Sequence, residues 1–243
     1  MPKFSVILAA AGKSSRFNDP KTKKPFIELC QKPVWLHSAQ RFRNRDDVTQ
    51  IIIVVSAEDR NDFEQRFATE IESLQIVVVN GGNERADSVQ NGLSVVDPRC
   101  DYVAIHDAAR PCVWDEDIEN VFVAAIESNA AILATPVAST LKRSADGTTV
   151  DETVDRTTMW LAQTPQLFSR ELILKVYADR NGENPTDEAQ LVEKSGHQVT
   201  LVPGSSQNIK ITTQADLGFA AACIDARRNP KFDGPIDKEN RLA

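Results

Sequence analysis

Six short runs of apolar and β-branched residues recur along the 243-residue chain, and each run is nearly continuous rather than alternating with polar residues. Such runs are typical of strands that are covered on both faces. They fall at residues 4–10, 51–55, 76–79, 103–105, 131–135 and 199–202. Segments with helical spacing of apolar residues lie between them, at 33–42, 57–67, 86–95, 115–125, 170–176, 187–192 and 214–226. This alternation predicts an α/β protein with a mostly parallel sheet and helices on both faces.

Residues 140–166 break the alternation. Asp146 and Gly147 form a hairpin turn signal, and the threonines and valines around them offer little that could build a core. We therefore predict an exposed two-stranded arm, and because an isolated hairpin is marginally stable in water, we expect it to pack on another chain. No internal repeat or low-complexity linker divides the sequence, so residues 1–243 are predicted to form one domain with the arm at about 138–163. The charged end, 229–243, is expected to fray.

Composition and charge exclude several classes of protein. Hydrophobic residues make up 41% and charged residues 26%, which excludes a disordered chain, and no run approaches the roughly 20 apolar residues of a membrane span. The apolar stretch at the N-terminus is too short for a signal peptide, so we interpret it as a strand and expect a cytoplasmic protein. The net charge of −7 disfavours nucleic-acid backbones but leaves room for a small basic pocket. The four cysteines are widely spaced, and we expect free thiols.

The first predicted strand runs directly into Ala10, Ala11 and Gly12, and the basic residue Arg16 follows. Small side chains after a strand let backbone N–H groups approach phosphate oxygens, although an ordinary strand-to-helix turn would have the same composition. Neither GxxxxGKS/T nor GxGxxG is present. Three lysines follow between positions 21 and 24. There they would either neutralise a triphosphate or form a solvated face.

Residues 80–88 follow another predicted strand and read NGGNERADS. The two glycines permit close approach of the backbone, and Asn83 or Asp87 has a side chain that can cap the helix that follows. A glycine turn with a helix cap and a loop that binds a base both agree with this pattern.

Asp107 and Arg110 follow the strand predicted at 103–105. In open parallel sheets, ligands bind beyond the carboxyl ends of the strands, where a carboxylate can hold Mg²⁺ together with nucleotide phosphates. A structural salt bridge is the alternative. His106 is interpreted as a packed residue without a chemical role. Lys210 follows the last strand and could contact a phosphate, and the sequence shows no arrangement typical of a covalent nucleophile.

Nine short pieces occur in order between Leu8 and Thr212: LAAAGKSSRF, KKPF, GGNERADSV, HDAARP, ATPVASTLKR, TVDRTTMW, QTPQLF, TDEA and NIKIT. Together they resemble the 2-C-methyl-D-erythritol 4-phosphate cytidylyltransferases of the non-mevalonate isoprenoid pathway. Each piece alone is weak, whereas nine in order over nearly the whole chain are specific. The resemblance implies a Rossmann-like nucleotidyltransferase fold with an extended β-hairpin arm. It also implies transfer of CMP from CTP to 2-C-methyl-D-erythritol 4-phosphate with release of pyrophosphate.

The resemblance further implies roles for individual positions. The residues that contact CTP are Ala10, Ala11, Gly12, Gly82, Asn83 and Ser88. The catalytic charges around the reacting phosphorus are Arg16, Lys24 and Lys210, and the Mg²⁺ carboxylate is Asp107. The residues that bind the methylerythritol phosphate are Arg110, Thr140, Arg156, Thr164 and Thr186. In the family the arm swaps across a homodimer, which would bring Arg156 into the neighbouring chain's site.

Two positions depart from the family pattern. Ser14 stands where the family often has a second glycine, and Asn83 replaces a common aspartate. The phosphate loop and the recognition of cytosine are therefore expected to differ slightly. Ribitol 5-phosphate is an alternative substrate. A nucleotide-binding regulator without turnover is a second alternative, and the presence together of Arg16, Lys24, Asp107 and Lys210 argues against it. A Rossmann dehydrogenase is disfavoured because GxGxxG is missing.

Overall fold

The computed structural model describes residues 1–12 and 26–228. The strands are β1 (Phe4–Ala9), β2 (Glu28–Leu29), β3 (Lys32–Pro33), β4 (Val48–Val55), β5 (Ile76–Asn80), β6 (Tyr102–Asp107), β7 (Ala130–Pro136), β8 (Leu141–Arg143), β9 (Glu152–Val154), β10 (Trp160–Ser169) and β11 (Thr200–Pro203). The helices are α1 (Val34–Arg43), α2 (Arg60–Arg66), α3 (Ala68–Ser73), α4 (Arg85–Leu93), α5 (Asp115–Ser128), α6 (Arg170–Ala178), α7 (Glu188–Lys194) and α8 (Gln214–Arg228). Within these described residues, no helix is long and apolar enough to cross a membrane.

Seven strands form the central sheet in the order β11-β7-β10-β6-β1-β4-β5. All of them run parallel except β10, which is antiparallel to both of its neighbours. The chain builds outward from β1 through β4 to β5, and then returns to the other side of β1 as β6. The carboxyl ends of β1 and β6 therefore flank the point where the strand order reverses, which is where open α/β sheets bind ligands.

Strand β4 shows why the apolar runs are continuous. Ile51, Ile53 and Val55 pack on the face covered by α1 and α5, whereas Ile52 and Val54 pack on the opposite face, which α4, α6 and α7 cover. All five side chains are fully buried. Burying a side chain of this size stabilises the fold by about 1.5–3 kcal/mol, so both faces of the strand require apolar residues.

The six strands predicted from apolar runs are confirmed as β1, β4, β5, β6, β7 and β11. The helix predicted at 57–67 is confirmed as α2. A further helix, α3, follows directly beyond the predicted range, and the two meet at Phe67 with φ −116° and ψ 26°. The fraying expected at 229–243 concerns residues outside the described part of the chain.

The prediction of an exposed arm over 140–166 is wrong at its C-terminal end, because β10 lies in the central sheet between β6 and β7. Gln163, Thr164 and Gln166 are buried there although they are polar. The backbone N–H groups of Glu188 and Ala189 each donate to Gln166 Oε1 at 3.1 Å. Hydrogen bonds of this kind allow polar residues to be buried. Because β10 contains such residues, its sequence lacks the continuous apolar run that is typical of a central strand.

The remaining part of the predicted arm is an exposed hairpin. Strands β8 and β9 pair antiparallel as a separate two-stranded sheet. The predicted turn is confirmed at its tip: Gly147 has φ +71°, a conformation that favours glycine. The backbone N–H groups of Thr148 and Thr149 both donate to Asp146 Oδ1 at 2.7 Å.

Candidate active site

A cavity of about 340 Å³ opens at the carboxyl ends of β1 and β6. This volume is in the range of small-ligand pockets. The loops after β1, β5 and β6 form its wall together with the segment that precedes α8. Eight residues predicted from the sequence line it: Ala10, Ala11, Gly12, Gly82, Asn83, Ser88, Asp107 and Lys210.

The loops after β1 and β5 lie against each other. The N–H of Ala10 donates to Val54 O at 2.9 Å, and that of Gly81 donates to Val55 O at 2.6 Å, so both loops are tied to β4. A Cβ added to Gly81 would lie 2.5 Å from Ala11 Cβ. Glycine is therefore required at this position by the close approach of the two loops.

The loop after β5 turns directly into α4. The N–H of Gly82 donates to Ser88 Oγ at 3.1 Å, and that hydroxyl donates to Glu84 O at 3.0 Å. Asp87 Oδ2 accepts the N–H of Glu84 at 3.2 Å, which confirms Asp87 as a capping residue. Asn83 is exposed beside the cavity. The capped turn and the loop that lines the cavity are thus the same structure, and its binding of a base stays a prediction.

Asp107 is a buried carboxylate at the end of β6, and three cations surround it. Lys210 Nζ lies 2.9 Å from Oδ2, Arg110 Nε lies 3.4 Å from Oδ2, and Arg85 Nε lies 3.6 Å from Oδ1. Burial alone would raise the pKa of Asp107, but the positive charges of these three neighbours hold it well below its usual range. The carboxylate is therefore ionised at neutral pH.

Beneath Asp107 lies a chain of hydrogen bonds. Its backbone N–H donates to Thr164 Oγ1 at 3.0 Å, and the same hydroxyl lies 3.1 Å from His106 Nδ1. His106 Nε2 lies 3.2 Å from Arg110 O, a carbonyl that can only accept, which places the ring proton on Nε2. His106 is fully buried against Phe42, and burial lowers its pKa to about 4. The interpretation of His106 as a packed residue is confirmed.

Arg85 and Glu188 were not singled out from the sequence, and both belong to this site. Arg85 lines the cavity, and its two terminal nitrogens donate to the fully buried Glu188 at 2.6 and 2.9 Å. Tyr177 OH donates to the same carboxylate at 3.1 Å. Burial would lower the pKa of Arg85, but the charges of Glu188 and Asp107 raise it. Both residues lie within the GGNERADSV and TDEA pieces, but no spacing in the sequence shows that they meet.

The residues predicted to bind the methylerythritol phosphate lie outside the cavity wall. Arg110 is anchored to Asn208 O through Nη1 at 2.7 Å, and Thr164 is buried as described above. Thr140, Arg156 and Thr186 are exposed. Their roles in substrate binding stay predictions.

Two of the three predicted catalytic residues, Arg16 and Lys24, lie outside the residues that the structure describes. The departure at Ser14 lies outside them as well. Lys210 is described and lines the cavity.

The acidic side chains of the site can be compared with the ligands that a divalent metal requires. Among residues 1–12 and 26–228, no group of three or more His, Cys, Asp or Glu side chains is close enough to form a complete metal cage. Mg²⁺ usually keeps several waters and takes one or two carboxylates plus substrate phosphates. One ionised carboxylate at the wall of a cavity of about 340 Å³ fits that donor set.

This sheet order, with loops that line a cavity at the switch point, is that of an α/β nucleotidyltransferase-like fold. The family model described as IspD, 2-C-methyl-D-erythritol 4-phosphate cytidylyltransferase, matches residues 4–226. The chain belongs to this family. The proteins of that name from Rhodopirellula baltica and Clostridioides difficile are 42% identical over 237 residues and 38% over 232. The matches cover 93% and 95% of this chain, and 96% and 97% of those proteins.

Solved structures of the same family are similar to this chain as well. The crystal structure of 2-C-methyl-D-erythritol 4-phosphate cytidylyltransferase from Thermus thermophilus is similar, with a TM-score of 0.75 and 29% identity. The match covers 91% of this chain and 98% of that one. The family resemblance, the fold class and the enzyme class predicted from the sequence are thus confirmed.

Proposed function

We propose that this enzyme transfers CMP from CTP to 2-C-methyl-D-erythritol 4-phosphate and releases pyrophosphate, a step in the formation of non-mevalonate isoprenoid precursors. One observation carries the chemical part of the proposal. Lys210 and Asp107 meet at 2.9 Å inside the cavity formed by the loops after β1, β5 and β6. A cation and an anion at the carboxyl edge of the sheet are the two groups that a nucleotide triphosphate and its metal require.

In the proposed reaction, a phosphate oxygen of the substrate attacks the α-phosphorus of CTP in line. The new P–O bond forms as the bond to the β-phosphate oxygen breaks, and the electron pair leaves with pyrophosphate. The attacking phosphate is already anionic near neutral pH, so no general base is required. Negative charge develops on the reacting phosphorus and on the leaving group. Lys210, together with Arg16 and Lys24, is proposed to stabilise that charge.

Asp107 is the residue proposed to hold Mg²⁺. When bound, the metal would neutralise charge on the nucleotide phosphates. The side chain of Asp107 is fixed from below, because its backbone N–H donates to Thr164 and its carboxylate is flanked by charged neighbours. The proposed CTP contacts are the cavity residues Ala10, Ala11, Gly12, Gly82, Asn83 and Ser88.

The substrate part of the proposal uses the arm. Arg156 and Thr140 are exposed and lie outside the cavity wall, so their predicted contact with the methylerythritol phosphate is best met in the site of a second copy of the chain. The β10 residue Leu161 and its neighbour Met159 expose large apolar side chains next to the arm, as expected for a surface that another chain covers. We therefore propose a homodimer. Separately, we propose the cytoplasm as its location, as predicted from the sequence. Arg110, Thr164 and Thr186 complete the proposed substrate site.

A pyrophosphate-release assay tests the function directly. The enzyme is supplied with CTP, Mg²⁺ and either 2-C-methyl-D-erythritol 4-phosphate or ribitol 5-phosphate. We expect release with the first substrate and little with the second. Preference for ribitol 5-phosphate would overturn the proposed substrate, and CTP binding without release in either case would favour the regulator. EDTA is expected to abolish release and added Mg²⁺ to restore it.

A further inference from the structure

Arg85 lies between two carboxylates that differ in their accessibility. Its Nε is 3.6 Å from Asp107 Oδ1, at the cavity. Its two terminal nitrogens form a bidentate pair with Glu188 at 2.6 and 2.9 Å. Arg85 therefore makes its close, bidentate contact with Glu188, which does not line the cavity, and only a longer contact with Asp107, which does.

Glu188 is itself held in place from several directions. Tyr177 OH donates to its Oε1 at 3.1 Å, and its backbone N–H donates to Gln166 Oε1 at 3.1 Å. Gln166 Nε2 in turn donates to Asp187 Oδ2 at 2.9 Å, which fixes the start of α7 against β10. The carboxylate that pairs with Arg85 is thus an anchored part of the core.

We propose that Glu188 is a positioning residue for the metal carboxylate. By pairing with Arg85, it prevents that guanidinium from forming a close ion pair with Asp107, and so leaves Asp107 free to bind a divalent cation. This inference rests on the proposed metal role of Asp107. The sequence pieces that contain Asp107 and Glu188 do not show that the two residues are connected.

The charges around Asp107 support this division of roles. Lys210 makes the shortest contact with Asp107 and is 43% exposed, so it can move away. Arg110 is tied by Nη1 to Asn208 O at 2.7 Å. Arg85 is the third cation, and a buried charge requires a partner. Without the charge of Glu188, the carboxylate left to pair with Arg85 is Asp107. A divalent cation that binds Asp107 would then have to displace the Arg85 guanidinium.

The experiment measures Mn²⁺ binding by electron paramagnetic resonance in the presence of CTP and without the second substrate, with a CTP blank. The proteins are the wild type, Asp107→Asn and Glu188→Gln. Removal of groups that orient metal ligands typically weakens metal affinity about 10–100-fold, and we expect a loss of that size for Glu188→Gln. Tyr177→Phe is the matched control, because it removes one hydrogen bond to Glu188 and keeps its charge. It is expected to bind Mn²⁺ as the wild type does.

A double variant tests whether the effect passes through Arg85. Glu188→Gln combined with Arg85→Gln removes the excess cation, so Mn²⁺ affinity is expected to recover from the value of the single variant. If Glu188→Gln does not fold, Glu188→Asp retains the charge on a shorter side chain and is expected to weaken binding less.

The outcomes separate this inference from the proposed metal role. If Asp107→Asn binds Mn²⁺ as the wild type does, the proposed metal role fails. If Asp107→Asn loses binding while Glu188→Gln retains it, the metal role holds and the inference is overturned. The inference is overturned as well if the double variant is as weak as the single one, because the loss then does not pass through Arg85.

Discussion

Lys210 Nζ and Asp107 Oδ2 lie 2.9 Å apart, and the two members of this pair differ in their exposure to solvent. The lysine side chain is 43% exposed, whereas the carboxylate is buried. A divalent cation at Asp107 would compete with Lys210 for the same oxygen, and a nucleotide phosphate would offer Lys210 a second partner. The pair is therefore suited to exchange, with the lysine as the member that moves.

Lys210→Ala is expected to change two measurements in opposite directions. Loss of one charge that stabilises the transition state typically lowers kcat about 10²–10³-fold. Mn²⁺ binding in the presence of CTP is expected to strengthen, because a competing cation has been removed. Lys194→Ala is the matched control, since Lys194 pairs with the exposed Glu183 at the surface, and it is expected to change neither value. A parallel fall in kcat and Mn²⁺ affinity would mean that Lys210 only supports the structure.

Gly82→Ala tests the loop that faces the nucleotide. A Cβ at position 82 would lie 2.3 Å from Asp87 Cβ, which belongs to the first turn of α4 and cannot easily move. Overpacking of this kind costs about 1–3 kcal/mol. We expect the free energy of unfolding in urea to fall by that amount and the KM for CTP to rise. Gly218→Ala, where a Cβ meets nothing within 4 Å in α8, is expected to be tolerated. Unchanged stability and KM for Gly82→Ala would show that the loop adjusts freely.

The buried His106 predicts how stability depends on pH. Its pKa is lowered from 6.5 to about 4 in the folded protein, so between these values the unfolded chain binds a proton that the folded chain does not. The contribution is fully present above pH 6.5 and is lost as pH falls towards 4. Between pH 7 and pH 5, the free energy of unfolding is expected to fall by about 2 kcal/mol from this group.

His106→Gln isolates this contribution from the carboxylates, because glutamine can hydrogen-bond without titrating. Urea unfolding of both proteins at pH 7 and pH 5 gives the difference. The wild type is expected to lose about 2 kcal/mol more than the variant over this interval. Equal losses would show that His106 titrates normally in the folded state.

The sequence predicted those parts of the molecule in which burial and residue type agree. The runs around Ile7, Ile52 and Ile105 are apolar on both faces because helices cover both faces of the sheet. The loops that line the cavity were found because small residues and an aspartate directly follow such runs and a lysine lies a few residues after the last one. Parallel strands place the ends of these runs at one edge, so the site could be assembled without coordinates.

The parts that could not be predicted depend on polar groups that are buried in pairs. Gln166 occupies a central strand because the N–H groups at the start of α7 satisfy its side chain. Glu188 is 103 positions from Arg85, and no local pattern records their contact. Strand β10 and the Arg85–Glu188 pair are therefore visible only when long-range hydrogen bonds are known.

The arm provides a test of the proposed homodimer. If Arg156 acts in the neighbouring chain's site, each site combines Lys210 of one chain with Arg156 of the other. Lys210→Ala and Arg156→Ala homodimers are then each expected to be nearly inactive. Unfolding and remixing equal amounts gives about half mixed dimers by random pairing. In a mixed dimer, one site carries both substitutions and the other carries neither, so about a quarter of the wild-type sites are expected to reappear.

The same mixture gives a different result if Arg156 acts within its own chain. Every site then retains one lesion, whichever chains pair, and no activity returns. Pyrophosphate release is measured before and after remixing, and mass spectrometry under native conditions counts the mixed dimers. Remixed wild type alone controls for losses during refolding. Mixed dimers without recovered activity would refute the exchanged arm, whereas a chain that stays monomeric throughout would refute the dimer itself. Recovery near a quarter supports both, because only complementary chains can rebuild an intact site.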